Sequence, residues 1–161
     1  MKVAVYPGSF DPVTLGHLDV IQRASAMFDK VVVAVMCNSA KTPLFTLDER
    51  VKMLRESVKG LNNVEIESFD GLLIDYCKKE NIHIVIRGLR AITDFEYELQ
   101  IAQTNKELSH NMVDTVFLTT SIKYSYLSSS VVKEIASYNG DISPCVSDFV
   151  ADALYQKYGF R

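Results

Sequence analysis

Apolar residues mark five short stretches that read as strands, at positions 2–6, 31–36, 64–67, 82–86 and 113–118. Between them the pattern changes to helical spacing. Leu18, Ile21 and Phe28 recur at that spacing after Gly16, and Val51, Leu54 and Val58 do so after a Thr46–Glu49 capping box. Residues 72–79 form a third helical stretch that stops near Asn81. A second box, Thr93 to Glu96, opens a helix to about Ser109 with Phe95, Leu99 and Ala102 on one face. Ser128, Ser129 and Ser130 cap a helix to Tyr138, and a last helix carries Val146, Phe149, Val150, Ala153 and Leu154. The run 31–36 is apolar throughout and rich in Val, which suits a strand covered on both faces. Strand alternates with helix five times, predicting an α/β fold: an open parallel sheet with helices on both faces and a C-terminal helix. Ligands in such sheets bind beyond the carboxyl ends of the strands.

The polar residues with chemistry collect at those ends. The first run passes into Tyr6-Pro-Gly-Ser-Phe-Asp-Pro and then Thr14-x-Gly16-His17, where a helix begins. Gly8 and Gly16 leave room for close approach to the backbone, and a helix start offers N–H groups to an anion such as phosphate. His17 stands where its imidazole reaches such a phosphate. Pro, Gly and Asp also mark plain turns, so the loop alone leaves a turn reading open. Arg87 and Arg90 follow the fourth run directly. Their forks suit phosphate, and a salt bridge to Asp94 or Glu96 is the competing reading. Lys41, Lys133 and Glu98 read on sequence alone as solvated charges, and Ser128–Ser130 as a cap whose N–H groups also suit a triphosphate.

Composition narrows the class. With 161 residues, no internal repeat and no linker, one domain over 1–161 is expected. A net charge of −3 implies no basic face for nucleic acid. Cys37, Cys77 and Cys145 form neither a C-x-x-C nor an even framework, so reduced thiols are expected. No apolar run nears the ~20 residues of a membrane span, and no targeting segment opens the chain, so a cytoplasmic protein is expected.

Thr14-x-Gly16-His17 resembles the T-x-G-H form of the nucleotidylyltransferase signature. The Pro-Gly-Ser-Phe-Asp-Pro before it resembles the bacterial phosphopantetheine adenylyltransferases. The resemblance extends through Phe45-Thr-Leu-Asp-Glu-Arg50, Ile86-Arg-Gly-Leu-Arg90, Asp94-Phe-Glu-Tyr-Glu98 and Tyr126-Leu-Ser-Ser-Ser130, the full length of the chain. It implies a Rossmann-like five-stranded sheet of order 3-2-1-4-5. It implies reversible transfer of AMP from ATP to 4′-phosphopantetheine, giving dephospho-CoA and pyrophosphate. By the same resemblance His17 and Lys41 are catalytic. Ser9, Phe10, His17, Gly88, Leu89, Arg90, Glu98 and Tyr124, Ser125, Tyr126, Leu127, Ser128, Ser129 and Ser130 bind ATP. Ser9, Lys41, Leu73 and Arg87 bind phosphopantetheine. Mg²⁺ is the implied cofactor, held mainly by substrate phosphates, with coenzyme A as feedback inhibitor and a homohexamer as the assembly. Neither nucleic acid nor membrane is an expected partner. Ser9 stands where the family often has Thr, Tyr124 where it often has Trp, and Lys133 where the wider superfamily has Arg, which leaves a triphosphate role for Lys133 open. Two other readings remain: a sibling nucleotidylyltransferase using nicotinamide mononucleotide or a cytidylyl donor, and a non-catalytic nucleotide-binding regulator.

Overall fold

A computed structural model describes residues 1–37 and 42–161, and the side chains of all of these except Ile92 and Thr93. The elements alternate as the hydrophobic pattern requires: β1 (Val3–Gly8), α1 (Leu15–Met27), β2 (Lys30–Cys37), α2 (Leu47–Ser57), β3 (Val64–Asp70), α3 (Leu73–Glu80), β4 (Ile84–Leu89), α4 (Ile92–Leu108) and β5 (Asp114–Thr119). A 3₁₀ turn (Ile122–Tyr124) then leads to α5 (Ser129–Ser137) and α6 (Asp148–Lys157). All strand pairs are parallel and the order is β3-β2-β1-β4-β5. The chain winds outward from β1 in one direction and, after α3, in the other. The switch point therefore lies between β1 and β4, where Ala4 pairs with Ile84 and Val5 with Val85.

β2 explains its own uninterrupted apolar run. Val31, Val33 and Val35 point into one core layer with Val20 and Ile21 of α1, Leu54 of α2, Val132 of α5 and Leu154 of α6. Val32 and Ala34 point into the other, with Ile74 and Cys77 of α3. Both faces are covered, so alternation would have left polar groups buried. Each buried Val contributes about 2 kcal/mol of transfer free energy.

Several boundaries differ from the sequence expectation: β3 runs on to Asp70, β4 starts at Ile84, Val146 precedes α6, and two further differences shape the cleft. β4 does not stop at Ile86 but runs to Leu89, because Arg87, Gly88 and Leu89 pair with Phe117, Leu118 and Thr119 of β5. Arg87 is therefore a strand residue, held by the ladder. The expected Thr93–Glu96 capping box does not open α4. The helix starts at Ile92 from Ala91, which is extended (φ −146°) and has no side-chain cap. Asp94 reaches back instead to the Arg90 N–H at 3.3 Å and to its guanidinium at 3.2 Å, supplying a carboxylate to the helix N-terminus by another route. The Thr46–Glu49 box forms as expected, with bonds of 2.7 and 3.2 Å. No helix among the described residues is long and apolar enough to cross a membrane.

Candidate active site

A cleft of about 250 Å³ opens over the carboxyl ends of β1 and β4. The end of β1 supplies Gly8, the loop after it Phe10 and Thr14, and the first turn of α1 His17. β4 and its end supply Arg87, Gly88 and Arg90. The segment from β5 into α5 supplies Thr120, Tyr124, Leu127, Ser128 and Ser129.

The T-x-G-H motif is itself a capping box. Thr14 is the N-cap of α1 and its Oγ1 accepts the His17 N–H at 3.4 Å. The reciprocal bond comes from the His17 ring, whose Nδ1 accepts the Thr14 N–H at 3.0 Å. Glu or Gln ordinarily fills that third helical position. Here an imidazole does so, and the bond puts the ring proton on Nε2, the nitrogen left for the cleft. Burial, with the nearby Arg90 charge, lowers the His17 pKa to about 4. The ring is therefore a neutral Nε2–H donor near pH 7.

Phe10 braces that ring. Its backbone is left-handed at φ +47°, a conformation that costs a bulky residue energy and persists only under surrounding constraint. The Phe10 ring packs edge-on against Tyr6 at 5.4 Å and against His17 at 5.1 Å. A Cβ on Gly8 would lie 2.9 Å from it. The space where a Cβ of residue 8 would stand is thus filled by Phe10, while Gly8 still lines the cleft.

The arginines are held differently from each other, and Arg90 alone takes a salt-bridge partner that the sequence offered. Arg87 makes a two-pronged pair with Glu98 of α4, with both bonds at 2.6 Å, rather than with Asp94 or Glu96. Burial works to lower the Arg87 pKa, but the Glu98 hydrogen bonds and charge outweigh it and raise it. Arg90 pairs with Asp94 and donates from Nη1 to the Leu127 carbonyl at 2.9 Å, fastening β4 to the loop before α5. That loop is also held from α1. Asp19 accepts the Ser121 hydroxyl at 2.6 Å and its N–H at 3.0 Å. Ser128 caps α5 by accepting the Val131 N–H, and the Ser129 hydroxyl donates to the Pro12 carbonyl at 2.8 Å. These two hydroxyls are committed to the protein, so the first turn of α5 presents N–H groups to an anion.

Of the residues singled out from sequence, Phe10, His17, Arg87, Gly88, Arg90, Tyr124, Leu127, Ser128 and Ser129 line this cleft. Leu89 lines an adjoining recess of about 310 Å³ with Arg90, Phe95 and Thr120. Ser9 faces a smaller cavity of about 90 Å³ shared with Asp11, Arg50 and Lys133. Glu98 is buried behind Arg87. Ser125, Tyr126 and Ser130 are exposed on the loop and the first turn of α5. Leu73 starts α3 and packs against the second core layer. Lys41 lies outside the described residues.

Four contacts escaped the sequence reading. Thr14 orients His17, and Asp19 anchors the loop before α5. Arg50, 5% exposed, donates to the Ser9 carbonyl at 2.8 Å. Lys133 is not a solvated lysine but pairs with Asp11 at 3.0 Å. Only the Thr14–His17 spacing, which matches a capping box, offered a signal in advance.

The cytidylyltransferase-like family model matches residues 5–135. The phosphopantetheine adenylyltransferase of Lachnoclostridium phytofermentans is 61% identical over 158 residues, covering 98% of this chain and 96% of that protein. That of Dictyoglomus thermophilum is 56% identical, covering 100% and 98%. The solved structure of the Plasmodium falciparum nicotinic acid mononucleotide adenylyltransferase complexed with NaAD has a TM-score of 0.71 at 18% identity, covering 99% of this chain and 98% of that one. At that identity the likeness is one of fold. The chain belongs to the cytidylyltransferase-like family and, by identity over nearly its whole length, to the phosphopantetheine adenylyltransferase family.

Proposed function

We propose that this protein is an adenylyltransferase that moves AMP reversibly from ATP to 4′-phosphopantetheine, releasing pyrophosphate and forming dephospho-CoA for coenzyme A synthesis. The observation that carries the reading is the meeting, over one cleft at the β1–β4 switch point, of a neutral Nε2–H imidazole, Arg90 and the N-terminus of α5. All three act on phosphate, and none is a base or a nucleophile.

None is needed. The acceptor phosphate has a second pKa of ~6 and is already largely a dianion near pH 7. It attacks the α-phosphorus in line, one P–O bond forming as the bond to pyrophosphate breaks, with no covalent enzyme intermediate. The protein aligns the two substrates and meets the charge that develops on the α-phosphate oxygens. His17 Nε2–H donates to those oxygens. Arg90 and the N–H groups at Ser128–Ser130 hold the β- and γ-phosphates. Gly88, Leu89 and the Tyr124–Leu127 loop enclose the nucleoside. Lys41, Ser9, Leu73 and Arg87 receive the phosphopantetheine, with Glu98 keeping the Arg87 fork in place.

Among the described residues no three His, Cys, Asp or Glu side chains cluster to hold a metal ion, and Asp11 is already committed to protein donors. The cofactor in our reading is Mg²⁺, held through phosphate oxygens and water rather than by a protein cage. When bound it neutralises phosphate charge. Coenzyme A, which carries the product's groups, is read as a feedback ligand of the same cleft. The chain is read as one nucleotidylyltransferase domain over 1–161, working in the cytoplasm as a homohexamer. Exposed Tyr97 and Leu108, on one face of α4, support an assembly surface.

The test is pyrophosphate release from MgATP with and without 4′-phosphopantetheine. Nicotinamide mononucleotide and glycerol 3-phosphate serve as control acceptors and CTP as the alternative donor. Release only with ATP and phosphopantetheine is expected. Release with another pair would replace the substrate, and ATP binding without release would replace the enzyme by a regulator.

A further inference from the structure

Asp11 sits in the loop between β1 and α1 and is only 8% exposed. A carboxylate there is costly unless donors meet it. Three do. Its Oδ1 accepts the Phe45 N–H at 2.9 Å, and its Oδ2 accepts the Leu44 N–H at 2.9 Å and the Lys133 ammonium at 3.0 Å. Burial works to raise its pKa, but these bonds together bring it below the ordinary carboxylate value, so it is ionised at neutral pH.

The donors come from two places that the sheet topology brings to one end. Leu44 and Phe45 lead the chain into α2. Lys133 lies on α5, whose first turn is tied by Ser129 to the carbonyl of Pro12, the residue after Asp11. Arg50 of α2 closes the same group from the other side, donating to the carbonyls of Ser9 (2.8 Å) and Met36 (3.3 Å). Neither Asp11 nor Lys133 lines the main cleft. Each therefore acts through what it holds.

We propose that Asp11, with Lys133 as its counter-ion, is a positioning residue that sets the acceptor-side segment entering α2 in register with the phosphate loop and α5. The proposal rests on the reaction proposed above, in which the acceptor phosphate is held by Lys41, three residues before Leu44 in the sequence. It gives Lys133 a role distinct from gripping triphosphate: its loss shows on the acceptor side.

The experiment compares Asp11→Asn, Lys133→Met and Lys133→Arg in the full chain. kcat and KM are measured separately for ATP and for phosphopantetheine. The rate of tryptic cleavage after Lys41 in the ligand-free protein is a second readout, independent of any reaction. Lys133→Met is expected to raise the phosphopantetheine KM about tenfold, the scale of a small misplacement of a substrate-holding group. The ATP KM should stay within about twofold, and cleavage after Lys41 should quicken relative to cleavage elsewhere. Lys133→Arg restores most of this, and Asp11→Asn has the larger effect. A rise in ATP KM alone would make Lys133 a triphosphate ligand and overturn the proposal. So would folded variants with wild-type kinetics and cleavage. If Asp11→Asn does not fold, Lys133→Met decides, because it leaves both backbone bonds to Asp11 in place. If the wild-type protein releases no pyrophosphate from ATP and phosphopantetheine, the proposed function fails, while the cleavage rates still report on the Asp11 anchor.

Discussion

At the scale of single residues, the proposed chemistry depends on one proton on one ring. His17 donates from Nε2 because Nδ1 already accepts the Thr14 N–H. Its pKa of about 4 keeps it neutral across the working range. The imidazole nitrogens should therefore show a neutral Nε2–H tautomer by ¹⁵N NMR at pH 7, with no titration until the pH falls below about 5. The folded pKa lies below the ordinary 6.5, so the unfolded chain takes up the proton first. The stability contributed by a neutral His17 is complete above about pH 6.5 and is lost as pH falls towards 4. Denaturant midpoints of wild type and His17→Gln should accordingly converge as the pH is lowered through that window. His17→Ala should cut kcat by ~100-fold or more, the loss expected when a donor to developing charge is removed. An unchanged kcat would remove His17 from the reaction.

At the scale of elements, the site is built by helix ends. Thr14→Ala removes an N-cap and costs ~1 kcal/mol of stability. It also frees the His17 ring to turn, so kcat should fall beyond what the lower stability explains. Thr14→Ser, which keeps the hydroxyl, should restore both the melting temperature and kcat. The Arg87–Glu98 pair joins β4 to α4 with the carboxylate side chain 12% exposed. Glu98→Ala leaves the guanidinium without its carboxylate, with the Pro7 carbonyl at 3.4 Å still in reach, and should cost about 3 kcal/mol, at the low end for breaking a buried pair. Chemical denaturation checks this, and a loss well under ~1 kcal/mol would mean that water replaces Glu98 freely. The failed Thr93 capping box is instructive at this scale. The four-residue spacing was present, but β4 ran on to Leu89 and Arg90 drew Asp94 back, so the chain entered α4 from Ala91 instead.

At the scale of the whole molecule, α4 exposes Tyr97 at 63% and Leu108 at 54%, an apolar surface that a six-chain assembly would cover. Sedimentation should give a mass of about six chains. Tyr97→Glu should shift it towards smaller species with the fold retained by circular dichroism. A wild-type monomer would overturn the hexamer. The fold was largely legible in the chain, because burial on one or both faces leaves a period that any reader can count. The all-apolar 31–36 run announced a strand covered on both faces, and the five alternations announced a parallel sheet. The motif residues at the ends of β1 and β4 were legible too, because turn and helix-start chemistry is local. Which strands lie side by side is not a local property, and the order β3-β2-β1-β4-β5 was read from family resemblance alone. The partners of charged side chains were not legible either. Arg87 with Glu98, Lys133 with Asp11 and Arg50 with the Ser9 carbonyl span 11, 122 and 41 residues. The sequence by itself determined the order of the elements, the loops whose residues suit phosphate, and the family. Only the tertiary structure decided which nitrogen of His17 carries the proton and which charges are already taken, because both depend on atoms brought together by packing rather than by spacing along the chain.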